Sequence, residues 1–203
     1  IKRLAMHFRN ILEVVSDNAD TAIADINYLS PQEKQQQLVQ WQEPAVDHPL
    51  YQSIADMFEH QVIKTPSNIA LRYGEQSLSY QQFNEQANQF AHYLTQHGIG
   101  KGQSVGICLK RSLEMMISLY AVIKTGASYI PMDINYPKER LLYMLDATES
   151  PLIITQSDIQ EKLSIAEDRS FLVDQQWSSI KNYSVDNLPV QDLVEEPLYT
   201  IFT

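Results

Sequence analysis

The chain has 203 residues, of which 44% are hydrophobic and 20% charged, so wholesale disorder is excluded and the length fits one large domain, or one and part of another. Lys and Arg number 15 against 25 Asp and Glu, a formal net charge of −10 with no basic block, so no nucleic-acid partner is expected. A single cysteine, Cys108, rules out an intrachain disulfide framework and a cysteine-rich zinc site. The longest weakly charged apolar stretch, Met115 to Ile123, falls far short of the ~20 residues of a membrane span. No membrane partner is expected, and a reducing, cytoplasmic setting is.

Ile1, Leu4, Phe8, Ile11, Leu12 and Val15 share one face of a 3.6-residue period and predict a helix ending near Asp17-Asn18. After an apolar connector, Ile23 to Leu29, a second helix is expected. Ser30 can cap it, Pro31 suits its first position, and Glu33 can reach back to the cap amide. Pro44 and Pro49 bias their predecessors toward extended geometry, which marks a linker. Ile54, Met57, Phe58 and Val62 form a further helix face, stopped at Thr65-Pro66. Ile69–Tyr73 and Ser77–Tyr80 read as a hairpin around Gly74-Glu75-Gln76. Ser79 then opens a long helix with Gln82 three residues on, a core stripe of Phe83, Ala87, Phe90, Ala91 and Leu94, and a stop at Gly98.

Strands and helices alternate from there. Strands are expected at Val105–Leu109, Tyr129-Ile130, Leu152–Thr155 and Phe171–Val173, and a last one at Leu198–Thr203. Helices are expected at Leu113–Lys124, from Pro137 onward, and after Ser157 as a cap. This alternation implies an α/β fold, a mostly parallel sheet with flanking helices, preceded by a short helical tail. The chain begins at Ile1 and stops inside an apolar run, which reads as a piece of a longer polypeptide.

No catalytic constellation emerges from residue chemistry alone. Gly98-Ile99-Gly100-Lys101-Gly102 looks like a phosphate loop, but it follows a helix and opens a strand, the reverse of a dinucleotide fingerprint. His7, His48, His60, His92 and His97 form no metal-ligand spacing, and His92 and His97 read as polar-face residues of the long helix. Cys108 sits in an apolar strand, where a thiol is a small hydrophobe with a raised pKa. Met115, Met116, Leu119, Tyr120 and Ile123 read as core. Asp133 and Asn135 are expected to cap the helix that starts at Pro137. No catalytic and no metal-ligating residue is assigned.

Three stretches carry a resemblance. Leu78-Ser79-Tyr80-Gln81-Gln82-Phe83 resembles the first core motif of the adenylation domains of nonribosomal peptide synthetases. Ile123 to Asp133 (Ile-Lys-Thr-Gly-Ala-Ser-Tyr-Ile-Pro-Met-Asp), with Tyr136-Pro137-Lys138-Glu139-Arg140 after it, resembles the second. Leu198 to Thr203 resembles the start of the third, which in the family continues as Ser-Gly-(Ser/Thr)-Thr-Gly and a downstream lysine around the ATP phosphates. Gln82-Phe83 stands where Glu-Leu is usual, and Thr125 and Ser128 replace alanines.

The resemblance implies residues 1–38 as the C-terminal tail of a condensation-like domain and 39–50 as a linker. Residues 51–203 would be the N-terminal portion of an adenylation domain, cut at the phosphate loop. It implies an ATP-dependent, AMP-forming ligase that uses Mg²⁺, activates an amino acid, and passes it to the phosphopantetheine of a carrier domain. Thr203 is the one residue it assigns to nucleotide phosphate, and the 203 residues alone are expected to be inactive and to expose a sheet edge and an apolar face. An acyl-CoA or aryl-acid ligase and a non-catalytic interdomain platform are the alternatives.

Overall fold

The computed structural model describes residues 1–42, 53–189 and 196–202. The chain divides into two compact units, Ile1–Pro49 and Leu50–Thr203. The linker expected at 39–50 lies, from residue 43 on, outside the described residues.

The first unit pairs two helices, α1 (Lys2–Asp17) and α2 (Pro31–Leu38). The capping box expected at α2 is present: the Glu33 amide donates to Ser30 Oγ (3.2 Å) and the Ser30 amide to Glu33 Oε2 (3.1 Å). Glu33 also receives His7 Nε2 of α1 at 2.9 Å, with Arg3 Nε at 3.6 Å. His7 packs edge-on to Tyr28 at 5.3 Å, and Asn10 Nδ2 donates to the Tyr28 carbonyl. Polar contacts thus link the two helices. No residue of α1 is buried, and Leu4, Phe8, Leu12 and Val15 of its apolar stripe are exposed.

The second unit opens with α3 (Ile54–Lys64), capped by Ser53, and an antiparallel hairpin of β1 (Ile69–Tyr73) and β2 (Gln76–Ser79). Helix α4 (Tyr80–Gln96) starts from the expected Ser79–Gln82 capping box. It ends in a Schellman motif: the Gly98 amide donates to the Thr95 carbonyl and the Ile99 amide to the Leu94 carbonyl, with Gly98 at φ +81°. The glycine run 98–102 is therefore a helix stop and turn. The alternation follows with β3 (Ser104–Ile107), α5 (Leu113–Lys124), β4 (Ser128–Pro131), α6 (Lys138–Ala147), β5 (Leu152–Thr155), α7 (Ser157–Leu163), β6 (Ser170–Leu172) and α8 (Val173–Gln176).

The four strands β3 to β6 form one sheet, ordered β4-β3-β5-β6 and parallel throughout. From β3 the chain moves one way to β4, then back past β3 to β5 and β6. With right-handed crossovers, these opposite directions put α5 and the pair α6/α7 on opposite faces. The side chains agree. Phe90, Ala91 and Leu94 of α4 and Ala121 and Val122 of α5 pack with Val105, Ile107, Ile154 and Phe171. Leu141, Met144, Leu145, Ile159 and Leu163 of α6 and α7 pack with Ile130 and Ile153 on the other face. Phe90 and Phe171, 4.6 Å apart, are almost fully buried, each stabilising the fold by about 2–3 kcal/mol. Gly106 admits α6: a Cβ there would lie 2.7 Å from Leu145 Cδ2 and 3.0 Å from Met132 Sδ.

A third cluster joins α3, the hairpin, α4 and α5. Phe58, Phe83 and Tyr120 pack with ring centroids 4.7–5.0 Å apart. Beneath them Lys124, whose side chain is 1% exposed, is ion-paired and hydrogen-bonded to Glu59 of α3. Burial pushes the Lys124 ammonium below its ordinary pKa, against the pull of Glu59.

Three local expectations are corrected. Asp133 and Asn135 do not cap α6. Asp133 Oδ1 accepts from the Asn135 amide and Nδ2, both at 2.9 Å, and the cap position is held by Pro137, which offers no side-chain acceptor. Ser157 does not cap α7 but is its first residue, and its amide and hydroxyl both go to the Asp174 carboxylate. The last strand, expected over 198–203, is a single parallel bridge between Tyr199 and Tyr129 among the described residues. Tyr129 N donates to Leu198 O (3.1 Å) and Thr200 N to Tyr129 O (3.0 Å). The next outward-facing amide of β4 belongs to residue 131, a proline with no N–H, so the ladder stops.

Two outcomes are expected. The Ser30 amide, then His7, hold the Glu33 carboxyl down at about 2, below its usual 4.5. A carboxyl lowered on folding stabilises above its unfolded pKa, so this contribution is lost as pH falls from about 4.5 to 2. NMR titration of Glu33 is expected to give a midpoint near 2; a midpoint near 4.5 contradicts the capping account. Second, Glu59→Leu leaves a buried ammonium unpaired and is expected to destabilise by about 3–5 kcal/mol, while Glu59→Leu with Lys124→Met recovers most of it in denaturant melts. A single-variant loss under about 1 kcal/mol would place the pair among surface ion pairs.

Candidate functional site

Parallel α/β sheets bind ligands outside the carboxyl ends of their strands, by preference where the strand order reverses. Here the order reverses between β3 and β5, and that gap is sewn shut. Cys108 N donates to Ile154 O (3.0 Å), and Thr155 Oγ1 to Cys108 O (2.9 Å). Lys110 bridges the same turns, its amide to Gln156 Oε1 (3.3 Å) and its ammonium to Asp158 Oδ2 (2.6 Å). That ammonium holds the Asp158 carboxyl below its usual range.

The open space lies one strand over, in a cleft of about 570 Å³ at the carboxyl ends of β3 and β4. Ile107, Tyr129 and Pro131 line it from the sheet, Leu109, Met115 and Leu119 from the β3–α5 turn and α5, and Met132 to Tyr136 from the loop before α6. Ile201 and Phe202 supply a further wall. They arrive there because the Tyr129 bridge makes their segment run parallel to β4, toward its carboxyl end. Phe202 is seated edge-on to Tyr143 at 6.0 Å.

The cleft is lined mainly by apolar side chains, with Lys110, Arg111, Asp133 and Asn135 among them. Arg111 lines it and is exposed. Arg140, from the Tyr136–Arg140 motif, stacks over the Tyr136 ring at 4.4 Å. Among the described residues Asp133 is the single carboxylate lining the cleft, and it is already bonded to Asn135. Among the described residues no three His, Cys, Asp or Glu gather as metal ligands. Asp133 alone is no cage for a divalent ion, which at phosphates takes one or two carboxylates and completes its shell from phosphate and water.

Thr203, the residue assigned to nucleotide phosphate, lies outside the described residues, directly after Phe202. Cys108 is buried, and burial, then the charge of Asp133, pushes its thiol up to about 11, which leaves it unreactive. His60, His92 and His97 do not line the cleft. The Met115–Ile123 stripe divides: Met115 and Leu119 face the cleft, while Met116 and Tyr120 join the aromatic cluster. Arg111 and the loop 132–136 escaped sequence reasoning as cleft residues. The available signal was their position, immediately after two parallel strands.

The AMP-binding enzyme family model matches residues 58–203. Gramicidin S synthase 2 of Brevibacillus brevis is 35% identical over 205 residues, covering 100% of this chain. The chain spans about 4% of the length of that curated relative. The crystal structure of the nonribosomal peptide synthetase FmoA3 in its alpha-methyl-L-serine-AMP bound form superposes with a TM-score of 0.72 at 22% identity, over 98% of this chain and 23% of that one. A Mycobacterium tuberculosis fatty acyl CoA synthetase superposes with a TM-score of 0.66 at 20% identity, over 75% of this chain and 32% of that one. These superpositions establish the fold, a parallel sheet flanked by helices, as that of adenylate-forming enzymes. The family model covers well over half of the sequence, and the chain belongs to the AMP-binding enzymes.

Proposed function

We propose that this chain is part of a nonribosomal peptide synthetase module whose intact adenylation domain activates an amino acid with ATP. An oxygen of the amino-acid carboxylate attacks the α-phosphorus, the bond to the β-phosphate breaks, and pyrophosphate leaves. A carrier-domain phosphopantetheine thiol then attacks the aminoacyl carbonyl, losing its proton as AMP departs. Such chemistry depends on positioning and on positive charge where negative charge develops.

One observation carries the reading: the Tyr199–Tyr129 bridge is parallel to β4, and Ile201 and Phe202 line the carboxyl-edge cleft, so a chain continuing from Phe202 would be delivered to the edge where α/β sheets bind ligands. Thr203 would open the phosphate cradle there, its hydroxyl and neighbouring amides at the rim. Mg²⁺ would be held chiefly by the phosphates, and no described residue is assigned to it.

Similarity along the whole chain to a peptide synthetase supports this choice over an acyl-CoA or aryl-acid ligase, since it extends through residues 1–57, which the family model leaves unmatched. The exposed apolar stripe of α1 supports a preceding condensation-like domain that covers it. Among the described residues no helix is long and apolar enough to cross a membrane, which is compatible with a cytoplasmic synthetase.

ATP–pyrophosphate exchange tests the proposal. The polypeptide from the whole reading frame is expected to exchange with one or a few amino acids, and the 203-residue chain alone to stay at the blank. Exchange driven by fatty or aryl acids with CoA as acceptor selects the ligase. No adenylate from any acid selects the platform.

A further inference from the structure

After β6 the chain must cross the whole sheet. β6 is one edge, and residues 198–200 pair with β4 at the other. The crossing runs in the same direction as β3 to β4, so a right-handed connection belongs on the α5 face, where α4 also lies. Residues 177–188 are found there, laid against α4. Trp177 packs edge-on to Phe90 (5.6 Å), Tyr183 edge-on to Tyr93 (5.5 Å), and Ile180 and Leu188 join the same cluster.

The polar side of α4 completes the attachment. Asn84 Nδ2 donates to Asn187 Oδ1 (2.8 Å). Asn88 Nδ2 donates to Val185 O (2.7 Å) and Asn187 Oδ1 (2.8 Å). Gln89 Nε2 donates to Lys181 O (2.8 Å) and His92 Nε2 to Asp186 O (2.9 Å). Residues 84, 88 and 92 form one i,i+4 row with 89 beside it, so a single helix face supplies donors in step with an irregular backbone. Asn88 is fully buried, and its two acceptors fix which way its amide points. A solvated helix face has no reason to bury asparagine. This face is built to hold a chain.

The segment downstream needs such a hold. Among the described residues, 198–200 have one bridge on β4, joined by the Lys101–Glu196 ion pair (2.9 Å) and by the Tyr129–Tyr199 and Tyr143–Phe202 ring contacts. A long connection whose end is joined to the sheet by a single bridge gains a defined register from a restraint upstream.

We propose that Asn84, Asn88, Gln89 and His92 are positioning residues. They clamp the strap 181–187 and thereby set the placement of residues 198–202 at the wall of the cleft. The functional meaning of the clamp rests on the nucleotide-site reading above; its existence does not.

Amide hydrogen exchange on the 203-residue chain tests it. Asn88→Asp keeps the shape but removes the donor, and His92→Ala removes the outermost one, whereas His92→Gln retains an amide donor. Exchange at Tyr129 and Thr200, the amides of the bridge, is expected to quicken at least tenfold in the first two variants and less than threefold in His92→Gln. Val105 and Ile154, inside the sheet, should change less than threefold in all. Leu163→Ala, a core change on the α6/α7 face of the sheet, should raise all four together. Unchanged exchange at Thr200 in His92→Ala, or a rise there only in step with Val105 and Ile154, overturns the clamp. Should Asn88→Asp not fold, the His92 pair decides alone. The readout is independent of adenylation, so absence of amino-acid activation in the parent leaves the clamp standing, and uniform exchange leaves the functional reading standing.

Discussion

Tyr129 commits both its backbone groups outward, its N–H to Leu198 and its carbonyl to Thr200, and through this one residue the chain joins the carboxyl edge of the sheet. Two residues later Pro131 has no N–H to offer, so the pairing loses its next donor from β4. The consequence is geometric. A segment that would otherwise continue along β4 is free beyond Thr200 to turn its side chains, Ile201 and Phe202, onto the cleft. A proline on the outer side of a strand thus ends a ladder and opens a wall.

The remainder of the second unit keeps Tyr129 where it is. β4 is backed by β3, in register from Ser104–Ser128 to Ile107–Pro131, and β3 is backed in turn by β5. Helices cover both faces because the two crossover directions demand it, and Gly106 lets α6 approach as closely as it does. The reversal point between β3 and β5, where such sheets commonly take a ligand, is closed by Thr155, Gln156 and Lys110. Closing it leaves the neighbouring gap, beside β4, as the open one.

Much of this was legible in the sequence wherever the signal is local. Ser30–Glu33 and Ser79–Gln82 announce helix starts because the capping box lies within four residues, and Gly98 announces a stop because left-handed backbone favours glycine. The stripe Phe83, Ala87, Phe90, Ala91 and Leu94 names the buried face of α4 because burial follows the helical period. What escaped is set by distant partners. His92 reads as a solvated residue until a carbonyl 94 residues away is laid against it. Lys124 reads as a helix-terminal cation until Glu59, 65 residues upstream, is brought beneath it. Asp133 and Asn135 have the composition of a cap, and their mutual hydrogen bonds form instead because Pro137 already supplies the helix start. The cleft was hidden for the same reason: it gathers residues from β3, β4, α5 and the 201–202 segment, which no single window contains.

The carboxyl-edge cleft, the parallel Tyr199 bridge and the wall supplied by Ile201 and Phe202 are the observations behind the proposed nucleotide site beside β4. The most direct measurement is a crystal structure of the polypeptide extended beyond Thr203, with a non-hydrolysable ATP analogue bound. The account predicts the triphosphate at the carboxyl ends of β3 and β4, within contact of the residues that follow Phe202. A triphosphate bound on either helical face, or at the amino ends of the strands, would contradict it.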